Sequence, residues 1–273
     1  MKLQLYLTTA LLSGAAYLLS LYATSERGEL DFSAPATVVG SGGVDELLLF
    51  LLFFACATAF MIALFRIYRG TALYRVLFSL VAVLGLVKLF ETVFPLEFSA
   101  TVALVFLLGL FVVPTVWTHD IIVILASAGI GSMFALNFSE YTAIALLLIL
   151  SLYDGIAVVV TKHMIALAHE MIRHQATFAL FVPERLRGFA AAIGTIRPGA
   201  GFLVFGGGDL VLPMIYLSVI ARESTTLAGY GVGGALVGQF LNHMFLTTLR
   251  KPIPALPLIA LGAIAGVALG RFI

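Results

Sequence analysis

The chain has 273 residues, of which 62% are hydrophobic and only 11% are charged, whereas a soluble domain carries about 25% charged residues. So few charges cannot cover so much apolar surface, which excludes a water-soluble globular protein and a disordered one. The net charge of +1 gives no field that would recruit nucleic acid, and the single cysteine, Cys56, excludes an intrachain disulfide. Lipid is therefore the expected solvent for most of the chain.

Long apolar runs predict an all-α membrane protein with nine transmembrane helices. A helix that crosses the hydrocarbon core needs about 20 mostly apolar residues. In chain order, the predicted spans are 3–22, 46–65, 76–94, 98–117, 121–136, 142–161, 200–220, 226–247 and 253–272. The fourth and fifth are separated by Thr118, His119 and Asp120, which we place in a short loop. His119 has no clustered partner in the sequence, and we assign it no role.

The distribution of Lys and Arg predicts the orientation, because these residues collect in cytoplasmic loops. With a cytoplasmic N-terminus, eleven of the fifteen lie inside: Lys2, Arg66, Arg69, Arg75, Lys162, Arg173, Arg185, Arg187, Arg197, Arg250 and Lys251. Four lie outside: Arg27, Lys88, Arg222 and Arg271. Nine spans then put the C-terminus outside. We expect a multi-pass protein of the cell membrane.

One long cytoplasmic connection, residues 162–199, divides the chain. It predicts a six-helix bundle at 1–161, a linker at 162–199 and a three-helix bundle at 200–273. Apolar residues at helical spacing predict an amphipathic helix in the first part of the linker. No repeat of fixed period is present.

Two carboxylates stand well inside predicted spans, Asp154 in the sixth and Asp209 in the seventh. An ionisable residue within a span costs roughly 3 kcal/mol on insertion, so each is a functional candidate. Asp154 is expected about 10 Å from the cytoplasmic end of its span and Asp209 about 12 Å from the same end of the next. The two are therefore predicted to lie at matching depth.

Two neighbouring carboxylates in low dielectric share a proton, so that one acts as a base and the other as an acid. The base removes a proton from water, and the acid donates a hydrogen bond to the peptide carbonyl under attack. This chemistry needs no metal and no cofactor, and we expect neither.

Glycines precede the second carboxylate directly, in the motif Gly206-Gly207-Gly208-Asp209. Three glycines in succession weaken a helix by about 1 kcal/mol each relative to alanine, which predicts flexible backbone there. Other glycines predict close helix packing, namely the ridge at Gly262, Gly266 and Gly270 and the pair Gly229 and Gly233.

The chain resembles the presenilin and signal peptide peptidase family of GxGD intramembrane aspartyl proteases. The resemblance is carried by Tyr153-Asp154, by the GxGD motif ending at Asp209, and by Pro254-Ala255-Leu256, the PAL motif, at the start of the ninth span. It implies that Asp154 and Asp209 are catalytic and that Tyr153, Gly206, Gly207, Gly208, Pro254, Ala255 and Leu256 border the site. It also implies substrates that are single transmembrane helices, cleaved within the bilayer.

The short chain resembles a compact prokaryotic or archaeal presenilin homologue, and nothing in it implies an obligatory partner subunit; a homo-oligomer stays open. A helical substrate must unwind before water reaches its peptide groups, and this leaves backbone groups unpaired in lipid. We hypothesise that irregular backbone at 206–208 and 252–257 pairs with the unwound substrate as an added strand.

Two other functions remain open at this stage. A secondary transporter or channel would use the two carboxylates for ion or proton coupling. A prepilin-type GxGD peptidase would cleave leader peptides near the cytoplasmic loops. Neither has a need for the segment Pro254-Ala255-Leu256.

Overall fold

The structure is a computed structural model that describes residues 2–30, 44–67, 71–156, 177–196, 201–249 and 253–273. Across these ranges the chain forms nine α-helices and a two-stranded sheet. The helices are α1 (Lys2–Leu30), α2 (Val44–Ile67), α3 (Thr71–Phe90), α4 (Leu96–Val112), α5 (Val116–Ala135), α6 (Glu140–Ile156), α7 (Gly207–Glu223), α8 (Thr225–Leu249) and α9 (Leu256–Gly270). The strands are β1 (Ala179–Pro183) and β2 (Phe202–Gly206), with 3₁₀ turns at Leu186–Ala190 and Ile193–Thr195.

Each described helix overlaps one predicted span, which confirms a mostly helical protein. Within the described ranges, three helical stretches have the length and hydropathy for a complete crossing: Leu3–Glu26, Ala72–Phe90 and Val116–Ala135. Shorter apolar stretches lie at Leu47–Phe60, Leu96–Val112 and Leu256–Gly270. The number of spans and the sidedness of the termini stay predictions.

The boundary between α4 and α5 differs from the prediction. Helix α4 ends at Val112, and α5 begins at Val116, directly after Thr115. The Thr115 side chain accepts the N–H of Thr118, and the Thr118 side chain accepts the N–H of Thr115 in return. This capping box satisfies donors that a helix start leaves open, so the helix begins five residues before the predicted span. The predicted loop at 118–120 is therefore wrong, since these residues lie in the first turns of α5.

Helix α5 forms the centre of the molecule, and most of its length is buried. It packs against α1, α3 and α7. The crossing with α3 brings backbone to backbone, because a Cβ on Gly85 or on Gly129 would collide with the main chain of the other helix. Glycines thus permit a close approach that larger residues would prevent.

Helices α8 and α9 also pack through glycines. Gly234 and Gly262 face each other so closely that a side chain on either would meet the other's carbonyl oxygen, and Gly266 lies against the carbonyl of Tyr230. The predicted packing ridge on α9 is confirmed. The packing prediction for Gly229 and Gly233 is wrong, because a Cβ there would meet nothing within 4 Å.

The sheet is a feature that the sequence prediction lacks. Strands β1 and β2 pair antiparallel, with Ala179 opposite Gly206 and Pro183 opposite Phe202. Every residue of β1 is buried, although the strand falls in the range predicted as a linker. The amphipathic helix predicted for the linker falls mainly at 157–176, outside the described residues.

Strand β2 occupies the start of the predicted seventh span. Its residues are aromatic or branched up to the closing glycine, a composition that favours strands, and Gly201 precedes it with φ of 82°, a conformation that residues with a side chain rarely adopt. A helix that begins at residue 200 is therefore wrong, since α7 starts only at Gly207.

Candidate active site

Asp154 and Asp209 line the same cavity. Asp154 lies near the end of the described part of α6, and Asp209 lies in the first turn of α7. The cavity has a volume of about 230 Å³, many times the roughly 15 Å³ that one water requires. The fold therefore brings to one cavity the two carboxylates that the sequence predicts at matching depth.

The surroundings of Asp209 differ from the prediction of a carboxylate deep within a helix. The chain reaches Asp209 as a strand, turns into a helix at Gly207, and presents the carboxylate two residues later. A helix start carries a partial positive charge from its unpaired N–H groups, which stabilises a negative side chain in the first turn. The strand-to-helix junction thus places Asp209 in the first turn, where the helix offsets part of the cost of a negative charge.

The three glycines of the motif have three different environments. A Cβ on Gly206 would stand 3.0 Å from Oδ2 of Asp209. A Cβ on Gly207 would collide with the carbonyl oxygen of Phe178, to which the Gly207 N–H donates at 2.9 Å. A Cβ on Gly208 would meet nothing within 4 Å. Close approach therefore favours glycine at Gly206 and excludes a side chain at Gly207. Gly207 and Gly208 are helical, and the flexible backbone expected there stays a prediction.

The Pro254-Ala255-Leu256 segment reaches the same cavity. Pro254 and Ala255 contribute to its lining, and the backbone N–H of Leu256 lies near the carboxylate of Asp154. Leu256 is the first residue of α9, and Pro257, which has no N–H, follows it. The segment thus offers Asp154 one of the few free donors at the start of this helix.

Tyr153 has a different position from the other predicted site residues. It precedes Asp154 on α6, but its side chain is 45% exposed and lies outside the residues that line the cavity. A contact between Tyr153 and a substrate stays a prediction.

Strand β2 presents a free edge beside the carboxylates. Leu203, Val204 and Phe205 line the cavity. Opposed residues in an antiparallel ladder alternate between pairs that exchange hydrogen bonds and pairs that do not. The Gly207 N–H donates to the Phe178 oxygen, and the Glu184 N–H donates to the Gly201 oxygen. Every second pair between these two is therefore hydrogen-bonded, namely Leu180 with Phe205 and Val182 with Leu203.

Val204 therefore belongs to a non-bonded pair with Phe181. The Phe181 N–H confirms this, because it points away from β2 and donates to Asp120 at 3.0 Å. It follows that the N–H and C=O of Val204 point away from β1. Within the described residues no third strand pairs with this edge.

A polar wall of the cavity has no counterpart among the predicted site residues. Its members come from α1 and α8, and they are Tyr6, Thr9, Gln239, Asn242 and His243. Gln239 is 3% exposed and accepts a 2.8 Å hydrogen bond from Ser13 of α1. Single polar residues at helical spacing in an apolar span were the available signal, but only the tertiary fold brings α1 against α8.

His119 and Asp120 form a second buried ionisable pair, both 1% exposed. Our interpretation of His119 as lacking partners is wrong: Nδ1 lies 3.4 Å from Oδ1 of Asp120, and Nε2 lies 3.0 Å from the carbonyl oxygen of Thr177. The cap at Thr115 puts both residues inside α5, but Thr118 stands where the usual capping pattern has Glu or Gln. Over the ranges that the structure describes, no three His, Cys, Asp or Glu side chains stand close enough to hold a metal ion.

Comparison with known proteins gives a family and a fold. The family model described as signal-peptide peptidase, presenilin aspartyl protease matches residues 16–273. No curated protein matches the chain. A solved presenilin family intramembrane aspartate protease in space group P2 is 22% identical with a TM-score of 0.66 over 97% of both chains. One in space group C222 is 21% identical with a TM-score of 0.67 over 98% of both. Likeness at this identity establishes the fold.

Proposed function

The chain belongs to the signal peptide peptidase and presenilin family of aspartyl proteases and is an intramembrane aspartic endopeptidase, and from this premise we propose that Asp154 and Asp209 are its catalytic pair. The observation that carries the proposal is that both carboxylates line one cavity together with Pro254 and Ala255. The family match also favours a protease over a transporter, a channel or a prepilin peptidase.

The proposed reaction is hydrolysis by an activated water. One carboxylate removes a proton from water as the oxygen attacks the peptide carbon, and the other donates a hydrogen bond to the carbonyl oxygen. The proton then passes to the leaving nitrogen as the C–N bond breaks. We assign the base to Asp154 because the backbone N–H of Leu256 lies near its carboxylate and can donate to the ionised form.

The enzyme acts on membrane helices, and we propose that the substrate is an extended strand where it is cut. Unwinding a helix in lipid leaves N–H and C=O groups without partners, at several kcal/mol each. The free edge of β2 offers such partners at Val204, next to both carboxylates. Strand addition at this edge would offset the unwinding and place the scissile bond in the cavity. Our hypothesis from the sequence assigned this role to residues 206–208 and 252–257, whereas the strand lies at 202–206. Pairing of the substrate with 252–257 stays a prediction.

The proposal also covers the membrane topology, the location and the assembly of the protein. We propose nine spans with a cytoplasmic N-terminus and an outside C-terminus, in the cell membrane, with bundles at 1–161 and 200–273. Packing of α7 against α1 and α5 joins these bundles directly. The enzyme needs no cofactor and no partner subunit under this proposal, and a homo-oligomer stays open.

The test uses the purified full chain in detergent and a recombinant single-span substrate. Asp154→Asn and Asp209→Asn keep the shape of each side chain and remove its acid–base function, so each should abolish cleavage. Glu97→Gln removes an exposed carboxylate at the start of α4 and should cleave like the parent chain. Cleavage that persists in both Asn variants would exclude Asp154 and Asp209 as the catalytic pair.

A further inference from the structure

The buried pair His119 and Asp120 stands outside the catalytic cavity and takes no part in the proposed chemistry. Removing ionisable groups from water is costly, and well-packed apolar residues of similar volume frequently serve stability as well or better. A buried pair of this kind therefore calls for an account of what it holds in place.

The pair holds both ends of one short segment, residues 177–181. The His119 Nε2 atom lies 3.0 Å from the carbonyl oxygen of Thr177, and since a carbonyl only accepts, Nε2 carries the hydrogen. At the other end, Oδ1 of Asp120 accepts the N–H of Phe181 at 3.0 Å. The first turn of α5 thus fixes the position of β1 along its length.

The 177–181 segment in turn holds the start of α7. The carbonyl oxygen of Phe178, the residue after Thr177, accepts the N–H of Gly207 at 2.9 Å. Ala179 stands opposite Gly206 in the sheet. Because Gly206 and Gly207 immediately precede Gly208 and Asp209, a displacement of β1 moves the backbone that carries Asp209.

The histidine ring is fixed by packing as well as by hydrogen bonds. It stacks on Phe78 of α3 with ring centroids 5.3 Å apart and planes 14° apart. Phe181 lies on it with centroids 5.1 Å apart. Removing the ring's hydrogen bonds while keeping its stacking is therefore feasible by substitution.

We propose that His119 and Asp120 are positioning residues for Asp209, because they anchor the 177–181 segment whose backbone sets the strand-to-helix junction before the carboxylate. The inference rests on the proposed catalytic role of Asp209. The positioning role explains why this site has the polar residues His119 and Asp120 and not apolar ones. Because β1 is apolar and buried on both faces, its hydrophobic pattern does not select a register, whereas bonds to the Thr177 oxygen and the Phe181 N–H define one.

The test compares variants that remove the bonds with variants that keep them. Asp120→Leu removes the acceptor for Phe181, whereas Asp120→Asn retains an oxygen. His119→Phe keeps the ring stacking and loses the donor, whereas His119→Gln retains a donor near the Nε2 position. Ser132→Ala is the matched control, since Ser132 is equally buried on α5 but bonds only to the Gly129 oxygen of its own helix.

Three quantities are measured on monodisperse protein in detergent: kcat and KM with a single-span substrate, the melting temperature, and hydrogen exchange of peptides covering 177–183. A misplacement of about 1 Å lowers catalysis about 100-fold. We expect Asp120→Leu and His119→Phe to lower kcat by about this factor with little change in KM, and to speed exchange at Phe181. Asp120→Asn and His119→Gln should recover most of kcat.

A purely structural role would lower the melting temperature of Asp120→Leu and leave kcat per folded molecule unchanged, and this result would overturn the proposal. If Asp120→Leu does not fold, His119→Phe decides by the same criterion. Failure of the parent chain to cleave any single-span substrate would instead contradict the proposed function, and the positioning role with it. Cleavage by the parent chain and equal cleavage by His119→Phe and Asp120→Leu would contradict the positioning role alone.

Discussion

The Cα atom of Gly206 lies so close to the carboxylate of Asp209 that a Cβ at this position would stand 3.0 Å from Oδ2. Few real Cβ contacts are that short, so any side chain here must displace the carboxylate. The first glycine of the motif is thus explained by the space that Asp209 occupies three residues later in the chain.

Gly206→Ala should therefore reduce cleavage more than it reduces stability. The carboxylate can rotate away from the new methyl group, which spares the fold but moves the acid–base group, and we expect a loss of roughly 10- to 100-fold in kcat. Cleavage rate and melting temperature are measured together, with Gly208→Ala as the stability control because its Cβ points into open space. Equal kcat in Gly206→Ala and the parent chain would show that the contact does not constrain Asp209.

The backbone N–H of Leu256 gives a second prediction, because proline is the substitution that removes it. Leu256→Pro deletes the N–H near Asp154 and leaves the later turns of α9 able to form. Because Ala255 is in the αR conformation, which a following proline disfavours, the variant should also lose stability. If this N–H donates to the ionised Asp154 during the reaction, its loss costs about 1.5–3 kcal/mol, which corresponds to at least a tenfold loss of rate.

The control for Leu256→Pro is Leu256→Ala, which removes the buried side chain and keeps the N–H. Both variants should lose stability, and kcat is compared per folded molecule. If the proline variant cleaves as fast as the alanine variant, the N–H of Leu256 has no part in the function of Asp154.

Local signals in the sequence were sufficient for the helices and for the catalytic candidates. Asp154 and Asp209 stand out because a charged residue in a long apolar run is costly to insert and is therefore rare without a functional role, and the glycines of α9 pack as their spacing predicts. The predicted type and bounds of an element are wrong where tertiary contacts outweigh the hydrophobic pattern. Residues 202–206 satisfy the composition of a span, yet they form a strand because β1 provides the partner.

The pair His119 and Asp120 shows a second way in which the prediction from the sequence was wrong. The apolar pattern predicted one span that ends before these residues and another that begins after them. The first turns of α5 were therefore predicted as a loop. The capping pair Thr115 and Thr118 departs from the usual Ser/Thr-x-x-Glu/Gln pattern. The bonds to Thr177 and Phe181 join residues about 60 positions apart. No local pattern reports such a contact.

The crossing of α8 and α9 gives a prediction about stability alone. A Cβ on Gly262 would collide with the carbonyl oxygen of Gly234. Neither residue can move aside easily, because each belongs to helical backbone. Gly262→Ala should therefore destabilise the protein by about 1–3 kcal/mol through overpacking. Gly109→Ala on α4 is the matched control, because its Cβ meets nothing and alanine favours a helix by up to about 1 kcal/mol. Equal melting temperatures for the two variants would contradict the close approach of α8 and α9.

The free edge of β2 gives the sharpest prediction about substrate binding. The N–H of Val204 points away from β1, so Val204→Pro removes one donor from the edge and none from the ladder with β1. Proline is accepted in strands at positions of this kind. If the substrate adds as a strand, Val204→Pro should weaken cleavage about tenfold or more, chiefly through KM, with a nearly unchanged melting temperature.

Two further variants separate the causes. Val204→Ala removes the side chain and keeps the N–H, so it should cleave more efficiently than Val204→Pro. Leu203→Pro removes a donor that faces β1, so it should lower the melting temperature as well as cleavage, because it breaks the sheet that leads into Gly207. Equal KM in the proline and alanine variants at Val204 would show that the substrate does not pair with this edge, and unwinding would then need partners elsewhere in the cavity. The polar side chains of α1 and α8, among them Gln239 and Asn242, would be the groups to test next, since they line the same cavity.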